Sequence, residues 1–454
     1  MLERLTNLLW GWHVLGLILA AGVNFSFSTG FFQIRCFFLW MKTALCGSSA
    51  SGNQKNRAPK EPRPPSSELR AVGKAGSGGI TQFQAITTAL AGSIGTGNIV
   101  GVASAITIGG PGSIFWMWVS ALFGMMTVFA ENLLAARHRG APGALGYIEK
   151  AGKWGRGLAV VYAGGCCLAS LGMGNMAQTH AAASAMESFG VPKWVCAALL
   201  AVLMLFVARG GLKFAVKITE KLVPLMTGLF FVAAIGVLWV FRENLPGAFQ
   251  SIFEGAFSLQ AGAGGAVGML IAAKTGISRG VFTNEAGLGS SAFAYEDVRD
   301  KSPVELGCMG IFQVFLDTIV MCTVTALCIL VCRSPMLEGA QLTFFAFESA
   351  WGKMGGYAVS LCTALFALAT VVAWCCYGRE GLFYLTKGRG KNLFALACAG
   401  AAFLGCVMPL EAVFQIGDAF NGLMALPNVL ALFYFSFEVA RSPGIWRRKS
   451  PKPG

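Results

Sequence analysis

The residues with the clearest chemistry are Gly92-Ser-Ile-Gly-Thr-Gly-Asn98. They put flexible, polar backbone in the middle of an apolar segment, Ile80 to Ile108. A membrane helix satisfies its own peptide groups, so a broken, Gly-rich stretch at that depth is tolerated only where it is buried in protein or lines a polar cavity. Such a break frees carbonyls that can coordinate a cation. It also frees N–H groups at the start of the next half-helix, where the dipole favours an anion. A zwitterion with a carboxylate and an amine, together with a hard monovalent cation, matches that pair of features. Thr96 adds a hydroxyl, and Asn98 adds an amide able to brace the break. A surface that only thins a helix contact would not need Thr and Asn.

A second Gly-rich stretch, Gly262-Ala-Gly-Gly-Ala-Val-Gly268, opens another apolar segment. Two interrupted helices at matching positions of two halves point to a transporter's binding site. Gly264, Gly265 and Gly268 are therefore read as the second break, with Ala266 and Met269 as candidates for the side-chain wall.

The elements that must position these residues are membrane helices. The chain is 55% hydrophobic and 12% charged, with a mean hydropathy of +0.63. Apolar runs separated by short basic loops predict eleven spans, near 8–28, 80–108, 113–136, 157–186, 193–208, 219–241, 247–275, 305–332, 356–380, 391–408 and 411–439. The first span is expected to be retained, because no good cleavage site leads into a hydrophilic mature start. Residues 43–79, rich in Gly, Ser, Pro, Asn and Lys, read as a flexible linker.

The net charge of +14 is not a nucleic-acid signature. With the N-terminus outside and strict alternation, the basic residues divide 30 inside to 5 outside. That is a positive-inside pattern, and it places the C-terminus in the cytoplasm. The 14 Cys lie almost wholly within predicted spans and the three His are scattered. No zinc spacing and no disulfide framework follow from them, and they read as core residues. A membrane-embedded enzyme would need a nucleophile with its base or a metal cluster, and neither pattern occurs. A channel would favour a charged ring and symmetric pore repeats, also lacking.

Several long motifs then carry a resemblance. Gly95-Thr-Gly-Asn-Ile-Val-Gly-Val-Ala-Ser-Ala-Ile-Thr-Ile-Gly-Gly-Pro-Gly112 is followed in order by Gly174-Asn-Met-Ala-Gln178, Glu220-Lys-Leu-Val-Pro224 and Arg279-Gly-Val-Phe-Thr-Asn-Glu-Ala-Gly-Leu-Gly-Ser290. Asp317-Thr318, Tyr377-Gly378 and Asn421-Gly-Leu-Met-Ala-Leu-Pro-Asn428 come next, and Leu9-Trp-Gly-Trp12 and Thr29-Gly-Phe-Phe-Gln-Ile-Arg35 fit at the start. Over essentially its whole length the chain resembles the alanine or glycine:cation symporter family.

The resemblance implies an all-α fold of about eleven transmembrane helices. Its core would be a five-plus-five inverted repeat with broken helices, as in neurotransmitter:sodium symporters, preceded by one extra N-terminal helix. The regions would be 1–42 for that helix and its extension, 43–79 for the linker, 80–241 and 242–440 for the repeats, and 441–454 for a basic tail. It implies symport of alanine or glycine into the cell across a bacterial inner membrane, coupled to Na+ or H+, with no cofactor beyond the coupling ion. Serine or glutamine is the alternative cargo.

Residue by residue, the resemblance implies that Gly92, Ser93, Thr96, Gly97 and Gln178 surround the substrate. The Ala91 and Ile94 carbonyls with the Thr370 hydroxyl would hold sodium. The family's Ser-Thr pair is Ala369-Thr370 here, one hydroxyl short. His180, two residues beyond Gln178, is read as a packing or hydrogen-bonding residue. Glu131 is read as a gate or ion pair beside Arg137 and Arg139. Glu285 is read as a loop cap or inner gate with Arg279. Asp317 is read as a brace, Asp418 similarly, and Asn98 and Asn284 as bracing residues of their loops. The loop Ala141-Pro-Gly-Ala-Leu-Gly-Tyr147 departs from the family pattern.

Overall fold

The computed structural model describes residues 2–46, 80–257, 263–296, 298, 301–332, 337 and 339–442. Residues 47–79 of the linker, the basic tail beyond 442 and Gly262 lie outside the described residues, while residues 43–46, read as linker, end a helix, Phe37–Cys46. Among the described residues the elements are helices, with two isolated backbone bridges in place of strands.

In chain order the helices that build the core are α1 (Trp12–Ser28), α2 (Gln82–Ser93), α3 (Val100–Gly109), α4 (Gly112–Arg137), α5 (Gly155–Leu171) and α6 (Ala177–Glu187). They are followed by α7 (Lys193–Val240), α8 (Leu245–Phe257), α9 (Ala263–Asn284), α10 (Pro303–Val314) and α11 (Thr323–Val331). The last four are α12 (Ala340–Trp351), α13 (Lys353–Thr386), α14 (Lys391–Val407) and α15 (Leu410–Tyr434). Local sequence sets several starts. Thr81 caps α2 by accepting from the Gln84 N–H while Gln84 reaches back to the Thr81 N–H. Ser302 and Glu305 do the same for α10, with Pro303 in its first turn.

Seven described helical stretches are long and apolar enough to cross a membrane, and three shorter apolar helices accompany them. Two differences from the predicted spans have clear causes. The spans at 193–208 and 219–241 belong to one helical run, α7, of 48 residues. Straight, it would measure about 72 Å, more than twice a bilayer core. It bends at Gly211, whose φ of +69° only glycine adopts freely. The predicted span 247–275 is replaced by α8, ending at Phe257, and α9, which continues to Asn284. Lys274 and Arg279 are therefore helical residues.

Small residues decide the tightest packing. A Cβ on Gly112 would lie 2.1 Å from the Gly255 carbonyl carbon, so α4 and α8 cross backbone to backbone. The buried side chains include unusually many polar ones for an apolar bundle, among them Asn98, Glu131, Gln178, Glu285, Asp317 and Asn421. None of the cysteines is paired in a disulfide, and most are buried.

Candidate functional site

The first break forms where the sequence predicts it. α2 ends at Ser93, a single 3-10 turn spans Thr96–Asn98, and α3 begins at Val100. Residues 91–100 are all buried. The Asn98 side chain holds the break open. Its Oδ1 accepts the Gly95 N–H at 3.0 Å, and its Nδ2 donates to the Asp317 carboxylate at 2.8 Å and carbonyl at 3.0 Å.

Gln178 meets the break from the other side. Its Oε1 accepts from the Thr96 backbone N–H and from the Thr96 hydroxyl. The amide is oriented by a π-helical turn, Gly172–Met176, between α5 and α6. That turn loosens the helical ladder, and Gln178 Nε2 donates to the Met173 carbonyl at 3.2 Å. His180 makes a different contact, to the Gly405 carbonyl at 3.1 Å, in line with its reading as a hydrogen-bonding residue.

Thr370, on α13, donates to the Phe366 carbonyl at 3.1 Å and to the Ile94 carbonyl at 3.4 Å. The break thus brings Ile94 and Thr370 together, as the proposed cation ligands require. Ala91 and Gly92 are buried in the last turns of α2. Ser93 turns its hydroxyl back to the Ala89 carbonyl at 3.4 Å. Two glycines are required by close approach. A Cβ on Gly95 would stand 2.6 Å from Thr370 Oγ1, and one on Gly97 would stand 2.9 Å from Thr283 Cγ2.

Gly264, Gly265 and Gly268 occupy the first turns of an unbroken α9. Gly268 is exposed and Met269 half-buried. Met269 lies fourteen residues before Thr283, about 21 Å along the helix, so the structure does not bring it to the break. The α9 residues that do reach Gly97 are Phe282 and Thr283.

The chain leaves the helix immediately afterwards, over Glu285–Ser291. Glu285, Gly287 and Gly289 all have positive φ there. Buried side chains from distant elements satisfy this loop. Glu131 Oε1, on α4, accepts the Gly287 and Gly289 N–H groups at 2.9 and 3.1 Å, and the Asn428 amide at 2.8 Å. Asn428 also donates to the Gly287 carbonyl, and Tyr162 to the Leu288 carbonyl. Asn284 Oδ1 accepts the Ala286 N–H at 3.0 Å.

The two Glu–Arg contacts read from sequence, Glu131 with Arg137 or Arg139 and Glu285 with Arg279, are replaced by other partners. Glu131 pairs with loop N–H groups, whereas Arg137 pairs with Glu438 at 3.3 Å. Glu285 accepts from Trp374 Nε1 at 2.7 Å and from the Ser290 hydroxyl. Arg279 pairs with Asp418 at 3.5 Å and sits against the rings of Phe282 and Phe414. The physical reason is direction. Arg279 and Glu285 are six residues apart at a helix end, and the positive φ of Glu285 turns its carboxylate toward α13. Trp374 and Asn428 are contributors that periodicity cannot find, since they reach the loop only through tertiary packing. The Asn421–Asn428 run was the only sequence signal for Asn428.

Comparison with known proteins gives the family. The sodium:alanine symporter family profile matches residues 1–450. The sodium/alanine symporter AgcS of Methanococcus maripaludis is 35% identical over 453 residues, covering 96% of this chain and 94% of that protein. The amino-acid carrier protein AlsT of Bacillus subtilis is 31% identical, covering 92% and 86%. The probable sodium/glutamine symporter GlnT of the same organism is 30% identical, covering 95% and 87%. With its first break, the amide that braces it and its polytopic apolar helices all in place, this multi-pass membrane chain belongs to the sodium:alanine symporter family.

Proposed function

We propose that the chain carries a small neutral amino acid, alanine or glycine, into the cell together with Na+, by alternating access. The observation that carries this reading is the convergence on Gly95–Thr96 of Gln178 from one side and Thr370 from the other. The start of α3, where the helix dipole is positive, suits a substrate carboxylate that would exchange with Gln178 for the Thr96 N–H. The Thr96 hydroxyl, Gln178 and the backbone of Gly92, Ser93 and Gly97 complete its surroundings. The buried Ala91–Ile94 backbone with Thr370 suits a cation built from few oxygens. The crowding of Thr283 against Gly97 favours a cargo with little or no side chain.

Residues 80–241 and 242–440 then act as two five-helix repeats, with Asn98, Glu131, Asn284, Glu285 and Asp317 bracing or gating the segments that must rearrange. The N-terminus lies outside and the tail in the cytoplasm. A transporter reading also accounts for the buried acids without a catalytic set, so no enzymatic step is assigned. The test is uptake of labelled alanine and glycine into proteoliposomes with and without an inward Na+ gradient. Concentrative uptake that collapses without the gradient is the expected result. Uptake driven equally by a proton gradient, or preference for serine or glutamine, would replace the ion or cargo named here.

A further inference from the structure

We propose that the bend of α7 at Gly211 binds the phosphate headgroup of an anionic phospholipid, with Arg209, Lys213 and Arg379 as its cations. The proposal needs only that the chain spans a bilayer, and it is independent of the cargo and ion named above. Position comes first. Residues 193–210 form the arm of α7 before the bend. Such an arm is about 27 Å long, close to the thickness of a bilayer core, so the bend falls at the headgroup layer. The sequence places Arg209, Lys213, Lys217 and Lys221 there, one at every fourth residue. All four are exposed. Like charges at that spacing repel along a helix. Among the described residues none of the four forms an ion pair. The acid of the same segment, Glu220, is taken by the Gln84 amide of α2 at 2.7 Å.

Tertiary packing adds a cation from another helix. Arg379 of α13 lies over the bend. Its Nη1 donates to the Arg209 carbonyl at 3.2 Å, and a Cβ on Gly211 would stand 2.4 Å from the same nitrogen. Its guanidinium rests on the Phe383 ring, 4.8 Å from the centroid. Arg379 too forms no ion pair with a described acid, and its Nε is buried without a hydrogen-bond partner. Orientation in the membrane asks only for positive charge in this loop. It does not ask for an arginine brought from a second helix onto the bend with N–H groups unspent. A basic pocket between helices at the membrane surface is what a phospholipid phosphate fits. The apolar flank decides between a lipid and a free phosphate. Phe206 is 64% exposed and Phe214 39%, on either side of the bend. Acyl chains cover such rings, and a soluble anion does not.

The site lies on a seam that matters to the rest of the molecule. Beyond the bend, α7 meets α2 through Glu220 and Gln84 and through Thr219 and Thr88, whose hydroxyls are 3.0 Å apart. α2 leads into the first break, and α13 carries Thr370. A phosphate held by Arg209 and Lys213 on α7 and by Arg379 on α13 ties those helices together at the membrane surface.

The experiment is titration of the purified full chain in neutral detergent with cardiolipin, read by native mass spectrometry as the fraction of protein carrying one lipid. Arg379→Gln should weaken binding about fivefold, the worth of one cation at a lipid surface. Arg209→Gln with Lys213→Gln, both at exposed positions, should weaken it about twenty-five-fold, and this pair keeps the test open if Arg379→Gln does not accumulate. Lys153→Gln with Arg156→Gln removes two exposed cations of another loop and should leave binding unchanged. Phosphatidylcholine should bind far more weakly, and inorganic phosphate at the same concentration should not displace cardiolipin. Wild-type affinity in the α7 pair, or an equal loss in the Lys153 and Arg156 pair, would overturn the site. Equal binding of phosphatidylcholine would overturn it as well, and displacement by inorganic phosphate would overturn the lipid as its occupant.

Discussion

Gln178 Oε1 accepts two hydrogen bonds from a single residue, Thr96, from its backbone N–H at 3.1 Å and its hydroxyl at 3.0 Å. Both partners are buried. The amide thus holds the start of the 3-10 turn where a substrate carboxylate would seek the same donors. A carboxylate arriving at Thr96 competes with Gln178 or recruits it, and either way the amide belongs to the binding equilibrium.

Gln178→Ala is therefore predicted to raise the half-saturation for alanine about tenfold, the worth of one to two net hydrogen bonds. The protein should still reach the membrane, because the Met173 carbonyl it also serves lies in a π-turn that neighbouring helices cover. Measured uptake kinetics with an unchanged half-saturation would remove Gln178 from the site.

Thr370→Ala is predicted to raise the Na+ concentration for half-maximal uptake by about tenfold, with little effect on abundance. The hydroxyl faces the Ile94 carbonyl, and its structural bond to Phe366 is an ordinary back-bond within the helix. A Na+ titration superimposable on the wild type would show that coupling does not run through Thr370.

Gly97→Leu is predicted to abolish transport in an inserted protein. Even a Cβ would approach Thr283 Cγ2 to 2.9 Å, closer than side chains pack. Gly97→Ala separates the readings. If the break holds the ligand, the added methyl and the displaced Thr283 should reduce alanine uptake more than glycine uptake. Equal losses for the two substrates would mean that Gly97 only spaces two helices.

Arg279→Ala is predicted to lower stability by roughly 3 kcal/mol, because it leaves the largely buried Asp418 carboxylate without its partner. The double variant Arg279→Ala with Asp418→Ala should recover part of that loss. Thermal melting in detergent reads both. A double variant as unstable as the sum of the single ones would show that the pair is not energetically coupled.

The amino-acid pattern alone determines the class of this protein and the place of its first helix break. Hydrophobic run lengths exceed what a soluble core needs, so membrane helices follow from the sequence. Gly95, Thr96, Gly97 and Asn98 announce the first break because no continuous helix favours that composition in an apolar run. The second Gly-rich stretch stands at the start of α9, and the chain leaves the helix again after Asn284. Glycine marks where a helix can be interrupted, and where the chain stays out of the helix depends on partners for the freed peptide groups. Residues 285–291 stay out of it because Glu131, Tyr162 and Asn428 supply those partners from α4, α5 and α15.

The same reasoning covers the charges. The sequence shows that Glu131, Arg279, Glu285, Asp317 and Asp418 sit within or beside apolar segments and so need partners. Which partner each one takes is decided by the direction in which packing turns the side chain. Arg279 goes to Asp418, 139 residues on by the numbering, and Asp317 goes to Asn98, 219 residues back. Local spacing carries no record of such distances, and only the tertiary structure brings those atoms within reach.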